Sequence, residues 1–268
     1  MRLGRIVRSE GVVFVRIEGE PDDPDRMSSR EVVAHLFGTL IFIGRSWQLT
    51  DVQLLAPMLA SKVVCIGKNY ADHIAERGSQ AVLVLSDPVI FFKLNTSIIG
   101  IKLPIRLHAN ASPAHFEDEL ALLVGRQWKV IPAAQATDYI LRYTIGNDVS
   151  GRDQQRADGQ WAHAKGYVTF CSVGSWIVTD LGPLDPADIE LHTEVNGDVR
   201  QHRCTSMMIH NAGAILERIS AVMALLPGDL ILTGTPAGVG SIEDGDTVSI
   251  TVEGIGTLTN PSVSKGKS

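Results

Sequence analysis

Two glutamates, Glu117 and Glu119, are separated by one residue at the start of a short apolar run that ends at Gly125. This pattern predicts a β-strand, on which residues two apart project from the same face. Two carboxylates held that close repel each other, unless one keeps its proton or a divalent cation binds between them. A solvated strand end explains this segment taken alone. A metal site requires a third oxygen ligand from elsewhere in the chain.

Asp148 is the predicted third ligand, because it follows a predicted strand over 140–145 and begins a polar loop. Strand ends that lead into polar loops are where folds place reactive side chains. Arg152 lies four residues further on, and Gln155 three more. If this turn is helical, the three side chains share one surface, and Arg152 and Gln155 face an anionic or carbonyl-bearing ligand. A capped helix start with solvated charges is the alternative.

A short helix is predicted between Asn69, a favourable N-cap, and Gly78, a favourable C-terminal stop. His73 and Glu76 lie three residues apart on this helix and share a face. A neutral imidazole beside a carboxylate is suited to proton transfer near pH 7, although such a pair also fits the polar face of a surface helix. A flexible connection is expected over 79–87, so the helix is expected to belong to a mobile lid.

Two further segments offer polar groups to a ligand. Lys165 lies in an aromatic, glycine-containing stretch, where it either faces a metal site or an oxyanion, or extends to solvent. The glycine-rich segment 234–240 follows a predicted strand and does not match nucleotide-binding patterns. Its backbone N–H groups can still hold a carboxylate, with a plain turn as the alternative. The dipeptide Asn196-Gly197 predicts a β-hairpin.

The composition is that of a globular protein with a sizeable core, since 44% of the 268 residues are hydrophobic and 20% are charged. The formal net charge of −6 and the absence of basic runs argue against nucleic-acid binding. No apolar run approaches the ~20 residues of a membrane helix, and no signal peptide is evident, so a cytoplasmic location is expected. Three widely spaced cysteines form neither a disulfide framework nor a zinc motif.

The character of the sequence changes near Lys62. Residues 1–58 are expected to form a small N-terminal domain, and residues 59–268 the domain that carries the chemistry. Predicted strands outnumber helices in the second domain without a βαβ alternation. This favours an α+β, β-rich fold with mixed strands over a doubly wound sheet. The segment from Pro261 to the end is polar and is expected to be frayed.

Five segments in this order resemble the fumarylacetoacetate hydrolase superfamily: 66–73, 116–120, 147–155, 165–170 and 234–240. The resemblance implies a mixed β-roll catalytic domain that assembles as a homodimer. It implies that Mg²⁺ or Mn²⁺, with Ca²⁺ as a further candidate in crystals, binds Glu117, Glu119 and Asp148. It also implies that the catalytic residues are His73, Glu76 and Lys165, that Arg152 and Gln155 contact the substrate, and that Thr235 binds the substrate carboxylate. The chain departs from the family pattern at Asp118, where a small residue is common, and at Leu94, Ser172 and Ser175, where prolines are common.

Carboxylate ligands suit Mg²⁺, Mn²⁺ or Ca²⁺ rather than zinc, and open coordination positions let a 2-oxo acid chelate the metal. We therefore expect an enzyme that acts on 2-oxo or 2-hydroxydienoic dicarboxylic acids through a metal-stabilised enolate. The resemblance favours a 2-hydroxyhepta-2,4-diene-1,7-dioate isomerase, with oxaloacetate decarboxylase and acylpyruvate hydrolase as alternatives that share the enolate. A non-catalytic metal-binding homologue is another alternative, and so is a redox iron site formed by His115, Glu117 and Glu119.

Overall fold

The structure, a computed structural model, describes residues 1–20, 26–33, 40–76, 78, 87–127 and 129–264. The strands in these ranges are β1 (Arg2–Arg8), β2 (Gly11–Glu18), β3 (Ser28–Val33), β4 (Ile41–Gln48), β5 (Gln53–Leu55), β6 (Val63–Gly67), β7 (Val89–Lys93), β8 (Ile98–Ile99), β9 (Ile105–Leu107), β10 (Ala114–Phe116), β11 (Asp118–Val124), β12 (Ile140–Asp148), β13 (Ser150–Gly151), β14 (Cys171–Val178), β15 (Glu190–Val195), β16 (Asp198–Cys204), β17 (Leu230–Leu232), β18 (Gly240–Ser241), β19 (Thr247–Val252) and β20 (Gly256–Ser264). The α-helices are α1 (Ala71–Glu76), α2 (Arg152–Ala157), α3 (Ala162–Lys165) and α4 (Ala212–Val222). Short 3₁₀ turns cover Leu49–Asp51, Asn95–Ser97, Ala109–Ala111, Ala133–Asp138 and Thr205–Met207.

The strands of the described ranges form one large sheet and two smaller ones. The large sheet has the order β4-β3-β2-β1-β14-β12-β11-β17-β6-β7, with β5 paired to β1 and β8 to β14. The order in the second sheet is β16-β15-β19-β20-β9, and in the third β13-β10-β18. Most pairs are antiparallel, whereas β6 with β17, β8 with β14 and β9 with β20 are parallel. The predicted β-rich fold with mixed strands is confirmed.

The main apolar core lies between the large sheet and the second sheet. It joins Leu122 and Ile145 of the large sheet to Leu191, Ile250 and Leu258 of the second. The second sheet therefore backs the part of the large sheet from which the predicted ligands project.

None of the helices in the described ranges is both long and apolar enough to cross a membrane.

Strand β11 carries one predicted ligand, and its sequence explains which way that ligand points. Every residue of the strand is buried. Leu120 and Leu122 pack into the main core, whereas Ala121 belongs to a second core on the opposite side of the sheet. Because side chains alternate along a strand, Asp118 faces the main core together with Leu120. Glu119 faces the other way, together with Ala121.

The first five strands continue the large sheet. Strand β1 pairs with β2 along its length, and its residues Arg2 and Leu3 also pair with Val178 and Ile177 of β14. Backbone hydrogen bonds therefore join the N-terminal residues to β14, which pairs in turn with β12, the strand that ends at Asp148. A domain boundary at residue 58 stays a prediction.

The prediction of a frayed segment from Pro261 onward is wrong for the part that the structure describes. Strand β20 extends to Ser264, and its last residues pair in parallel with β9. Ser262 in this segment is buried, and its Oγ donates a hydrogen bond to Asp246 O at 3.2 Å. Polar composition therefore does not prevent burial at this edge. Residues 265–268 lie outside the described ranges.

Candidate active site

Three buried carboxylates from neighbouring strands meet at one point. Glu117 directly precedes β11, Glu119 lies within it, and Asp148 ends the adjacent strand β12. Asn147 Oδ1 accepts a hydrogen bond from Glu117 N at 3.1 Å, which fixes the backbone between the two strands. One carboxylate oxygen from each of the three residues lies within 4.8 Å of the others. The structure thus brings together the three residues that the sequence predicts as metal ligands. Metal binding by these residues stays a prediction.

Three buried cationic side chains surround this cluster. Lys165 Nζ donates to Glu117 Oε2 at 2.9 Å and to Asp148 Oδ2 at 2.6 Å. Lys93 Nζ donates to Asp148 Oδ1 at 2.6 Å, and Arg152 Nη1 lies 2.5 Å from Glu117 Oε1. Lys165 therefore does not extend to solvent. Sequence reasoning assigned no role to Lys93, whose position at the end of a buried strand was the available signal.

The charges of the three carboxylates are balanced unequally. Burial opposes ionisation of Glu117, but the neighbouring Arg152 and Lys165 outweigh it and hold the pKa of Glu117 below its ordinary range. Burial raises the pKa of Glu119, and the nearby carboxylates of Asp148 and Glu117 raise it further. Glu119 has no salt-bridge partner in the described part of the chain. A divalent cation at this point would supply the positive charge that Glu119 lacks.

The donor set fits a hard divalent cation. In an octahedral Mg²⁺ shell with bonds of about 2.1 Å, oxygens on opposite sides of the ion lie about 4.2 Å apart. The oxygens of Glu117, Glu119 and Asp148, all within 4.8 Å of one another, reach such a shell through small side-chain adjustments. His115 is not a member of this group, since it lies in β10 and pairs with Ser150 and Ser241. The structure gives no support to the iron alternative.

A cavity of about 220 Å³ opens onto Glu117 and Glu119. Phe91 and Trp161 form part of its apolar wall, with ring centroids 5.1 Å apart. The wall needs a glycine at position 67, because a Cβ there would lie 2.6 Å from Trp161 Cζ3. The size and the mixed lining suit a small organic acid. The polar lining comes from Lys68, His73, Glu117, Glu119, Arg152, Gln155, Arg156, Lys165 and Thr235.

Helix α2 positions the predicted anion-binding pair. Arg152 Nη1 donates to Gln155 Oε1 at 2.8 Å. The Nε and Nη2 groups of Arg152 are buried and have no hydrogen-bond partner among the described residues. These two groups form the edge of a guanidinium that binds a carboxylate through two parallel hydrogen bonds. The predicted helical surface shared with Asp148 is wrong, because Asp148 ends β12 and the helix begins only at Arg152.

Helix α1 confirms the short helix predicted after Asn69, but the capping role of Asn69 is wrong. The Asn69 side chain donates through Nδ2 to Thr233 O at 2.7 Å and accepts through Oδ1 from His210 N at 2.8 Å. Long-range partners therefore take the groups that a cap needs. Asn69 ties the start of the helix to the segments that follow β17 and β16.

His73 and Glu76 both lie on α1, as the three-residue spacing predicts. His73 lines the cavity, and its Nδ1 lies 3.6 Å from Glu76 Oε2. Both carboxylate oxygens of Glu76 are 3.2 Å from Gly238 N in the glycine-rich segment. The helix thus rests on that segment and presents His73 to the cavity. The connection expected over 79–87 lies, apart from Asp87, outside the described residues.

The glycine-rich segment binds a carboxylate of the chain itself. Gly234 N donates to Glu119 Oε2 at 2.6 Å. Gly234 has a φ of +98°, and a Cβ there would lie 2.7 Å from Asn69 Cβ, so only glycine fits. The next residue, Thr235, lines the cavity. The backbone of this turn therefore orients a candidate metal ligand.

Asp118 introduces a pH dependence that the sequence did not reveal. Burial raises its pKa to about 6, while hydrogen bonds from Thr193 and Thr235 partly oppose the shift. The unfolded value is near 3.8, so the folded chain binds more protons between these values, and stability falls as the pH rises through this window. We expect Asp118→Asn to lack this decrease in the free energy of unfolding, which amounts to up to ~3 kcal/mol in the unsubstituted chain.

Urea unfolding with EDTA at pH 4 and at pH 7.5 measures this effect. The stability of Asp118→Asn relative to the unsubstituted chain should increase between the two pH values. Asp198→Asn, at an exposed position, is the matched control and should show no such increase. A difference between Asp118→Asn and the unsubstituted chain that is equal at both pH values contradicts the assignment.

Comparison with known families identifies the class of protein. Residues 62–263 match the family model described as fumarylacetoacetate (FAA) hydrolase C-terminal, and residues 1–57 match the one described as Rv2993c-like, N-terminal. The chain belongs to the fumarylacetoacetate hydrolase family. It is an enzyme, which removes the alternative of a non-catalytic homologue.

Three individual proteins illustrate what this chain is similar to. Protein Rv2993c of Mycobacterium tuberculosis is 68% identical over 267 residues, covering 100% of both chains. The crystal structure of 2-hydroxyhepta-2,4-diene-1,7-dioate isomerase from Mycobacterium marinum superposes with a TM-score of 0.90 at 66% identity, again over 100% of both chains. The mitochondrial oxaloacetate tautomerase fahd2 of Xenopus laevis is 37% identical over 224 residues, covering 80% of this chain and 69% of the relative.

Proposed function

We propose that this enzyme binds Mg²⁺ or Mn²⁺ through Glu117, Glu119 and Asp148 and acts on 2-oxo or 2-hydroxydienoic dicarboxylic acids. One observation carries the proposal. In the buried carboxylate cluster Glu119 has no salt-bridge partner among the described residues, and the cavity that Glu119 lines is also lined by Arg152, whose Nε and Nη2 have no hydrogen-bond partner there. When bound, the cation supplies Lewis-acid stabilisation of the negative charge that develops on the substrate oxygens.

The substrate is oriented by polar groups from two segments that line the cavity. Arg152 binds a substrate carboxylate through Nε and Nη2, while Gln155 holds Nη1 of the same guanidinium in place. Thr235, on the glycine-rich segment, also lines the cavity and is the second side chain proposed to contact the substrate. The rings of Phe91 and Trp161 cover the carbon chain of the acid and exclude water from it.

Proton transfer is assigned to α1. His73 lines the cavity, where its imidazole is placed to accept a proton from carbon and to return it. Glu76 lies beside the imidazole and stabilises its protonated form. Burial opposes the charge of Lys165, but Asp148 and Glu117 outweigh burial and raise the pKa of Lys165. Lys165 therefore acts as a fixed positive charge and not as a base.

Isomerisation of a 2-hydroxyhepta-2,4-diene-1,7-dioate-type acid is the reaction that we favour. Its support is the 66% identity, over the whole chain, to the isomerase from Mycobacterium marinum. Oxaloacetate turnover is the second candidate, and the relative named oxaloacetate tautomerase favours it. Acylpyruvate hydrolysis is the third. All three reactions place negative charge on the same oxygens of a 2-oxo acid, so the same residues serve each of them.

A substrate panel tests the proposal. The purified chain is assayed with 2-hydroxyhepta-2,4-diene-1,7-dioate, oxaloacetate and acetylpyruvate, each with Mg²⁺, with Mn²⁺ and after EDTA treatment. We expect the highest kcat/KM for the dienedioate, with turnover that depends on added metal. Preference for oxaloacetate or acetylpyruvate selects one of the alternative reactions. Failure to convert any of the three with either metal contradicts the proposal.

We also propose that the enzyme is a cytoplasmic homodimer that binds neither nucleic acid nor membranes. The resemblance supports the dimer, and the mild acidity of the chain supports the absence of nucleic-acid binding. Light scattering tests the dimer directly. A homodimer gives twice the chain mass of 29.0 kDa, and a single-chain mass contradicts it.

A further inference from the structure

Behind Thr235 lies a set of buried hydrogen bonds that the proposed function does not use. Asp118 Oδ2 accepts from Thr193 Oγ1 at 2.8 Å, and Asp118 Oδ1 accepts from Thr235 Oγ1 at 3.3 Å. Gln201 Nε2 donates to Thr235 Oγ1 at 2.9 Å. Asp118, Thr193 and Gln201 have no exposed surface. Asp118 is thus a fully buried carboxyl whose two oxygens both face hydroxyl groups.

The hairpin of β15 and β16 builds this set. Thr193 and Gln201 are directly opposite each other in the two strands, so their side chains project from the same face. The hairpin is the one predicted from Asn196-Gly197, and both turn residues adopt positive φ, 55° and 85°. This register presents both side chains to Asp118, which projects toward the main core. The partners of Asp118 in this network, Thr193 and Gln201, therefore come from the second sheet and not from the carboxylate cluster.

The amide of Gln201 has a defined orientation. Its Oε1 accepts from Asp118 N at 3.2 Å, and its Nε2 donates to Pro236 O at 2.8 Å. A backbone N–H can only donate and a backbone carbonyl can only accept, so the amide cannot be reversed. The nitrogen of Gln201 therefore faces Thr235, and Thr235 Oγ1 must be the acceptor of that bond.

This orientation decides what Thr235 offers to a ligand. A hydroxyl has one hydrogen and two lone pairs. The hydrogen of Thr235 is directed to Asp118, and one lone pair accepts from Gln201. The remaining lone pair is the group that this hydroxyl has left for the cavity that Thr235 lines. A lone pair repels the oxygens of a carboxylate and attracts a hydroxyl hydrogen.

We propose that Asp118 and Gln201 are positioning residues that fix Thr235 as a hydrogen-bond acceptor, so that Thr235 selects ligands presenting a hydroxyl donor. The ligand class is the enol or 2-hydroxy form of the acid, whose carboxylate binds Arg152. The ligand class rests on the proposed function. The assignment differs from the expectation that Thr235 binds the substrate carboxylate.

The first test is Thr235→Val, which removes the hydroxyl and keeps the shape. Binding of oxalate, which carries only acceptors, and of glycolate, which carries a hydroxyl donor, is measured by calorimetry on the Mg²⁺-loaded chain at pH 8. We expect oxalate affinity to stay within about twofold and glycolate affinity to fall about tenfold. A tenfold loss of oxalate affinity overturns the proposal, because Thr235 would then donate to the ligand. Unchanged glycolate affinity also overturns it, because Thr235 would then make no hydrogen bond to the ligand.

The second test reverses Thr235. The double variant Asp118→Leu with Thr193→Val replaces the acceptor and its other donor by apolar groups of similar shape, so no buried polar group is left unpaired there. The hydrogen of Thr235 then turns to the cavity, and oxalate should bind about tenfold tighter. A damaged fold weakens binding and cannot produce this gain. Unchanged or weaker oxalate binding by a double variant that melts cooperatively overturns the proposal.

Adding Thr235→Val to the double variant separates the hydroxyl from the charge of Asp118. The tighter oxalate binding should disappear in the triple variant, because it acts through the Thr235 hydroxyl. If the gain persists, loss of the Asp118 charge explains it and the proposal fails. Absence of binding of both acids to the unsubstituted Mg²⁺-loaded chain contradicts the proposed function itself, and the ligand class with it.

Discussion

The variant Glu119→Gln is expected to lose about 10³-fold in metal-dependent turnover, equivalent to ~4 kcal/mol of transition-state stabilisation. A neutral amide keeps the shape of the side chain but removes a full charge from the carboxylate cluster. Without metal, the ionised Glu119 lies buried beside Asp148 and Glu117, which is why its pKa is raised. The same substitution should therefore stabilise the metal-free fold while it weakens Mg²⁺ binding. Calorimetry, kcat and melting temperature measure the three effects.

These opposite signs distinguish loss of a ligand from loss of structure. Glu253→Gln is the matched control, because Glu253 is exposed and does not line the cavity. Its turnover, metal affinity and melting temperature should match those of the unsubstituted chain. The ligand assignment fails if Glu119→Gln keeps more than about a tenth of the turnover at saturating Mg²⁺.

The variant His73→Gln is expected to lower kcat by 10²–10⁴-fold, in the range found for removal of a positioned acid or base. Because the three carboxylates and Arg152 are untouched, KM and Mg²⁺ affinity should change little. The acidic limb of the pH profile of kcat, which reports protonation of the general base, should disappear from the residual activity. Steady-state kinetics from pH 5 to 9 measure all of these quantities.

His202→Gln provides the control for this prediction, since His202 is an exposed histidine on β16 that does not line the cavity. It should leave kcat and the pH profile unchanged. A kcat for His73→Gln within about threefold of the unsubstituted value would remove His73 from the mechanism. Another group on the cavity wall would then have to move the proton.

The local part of the site was predictable from sequence. The alternation at Glu117 and Glu119, the strand end at Asp148 and the helical spacing of His73 and Glu76 all depend on residues close in the chain. Each rule concerns the geometry of a single element, so it holds whatever the rest of the fold does. The resemblance then supplied the three-dimensional grouping that spacing alone could not.

Contacts between residues that are distant in the chain could not be predicted from local sequence patterns. Lys93 meets Asp148 55 residues away, and Asp118 meets Thr193 75 residues away, through strand pairings that no short pattern specifies. At Asn69 a local rule predicted a helix cap that the structure does not contain. The Asn69 side chain instead forms hydrogen bonds with the backbone of His210 and Thr233, which are distant in the chain. Polar composition was likewise misleading from Pro261 onward, because β20 continues to Ser264 and pairs with β9.

Three carboxylates are proposed to hold one divalent cation next to the open edge of Arg152. Anomalous scattering from a crystal soaked with Mn²⁺ and oxalate tests this cation site. We predict one strong peak within about 2.5 Å of oxygens of Glu117, Glu119 and Asp148, with oxalate between the ion and Arg152. A peak at any other position, or no peak while Asp148 stays paired with Lys93 and Lys165, would contradict it.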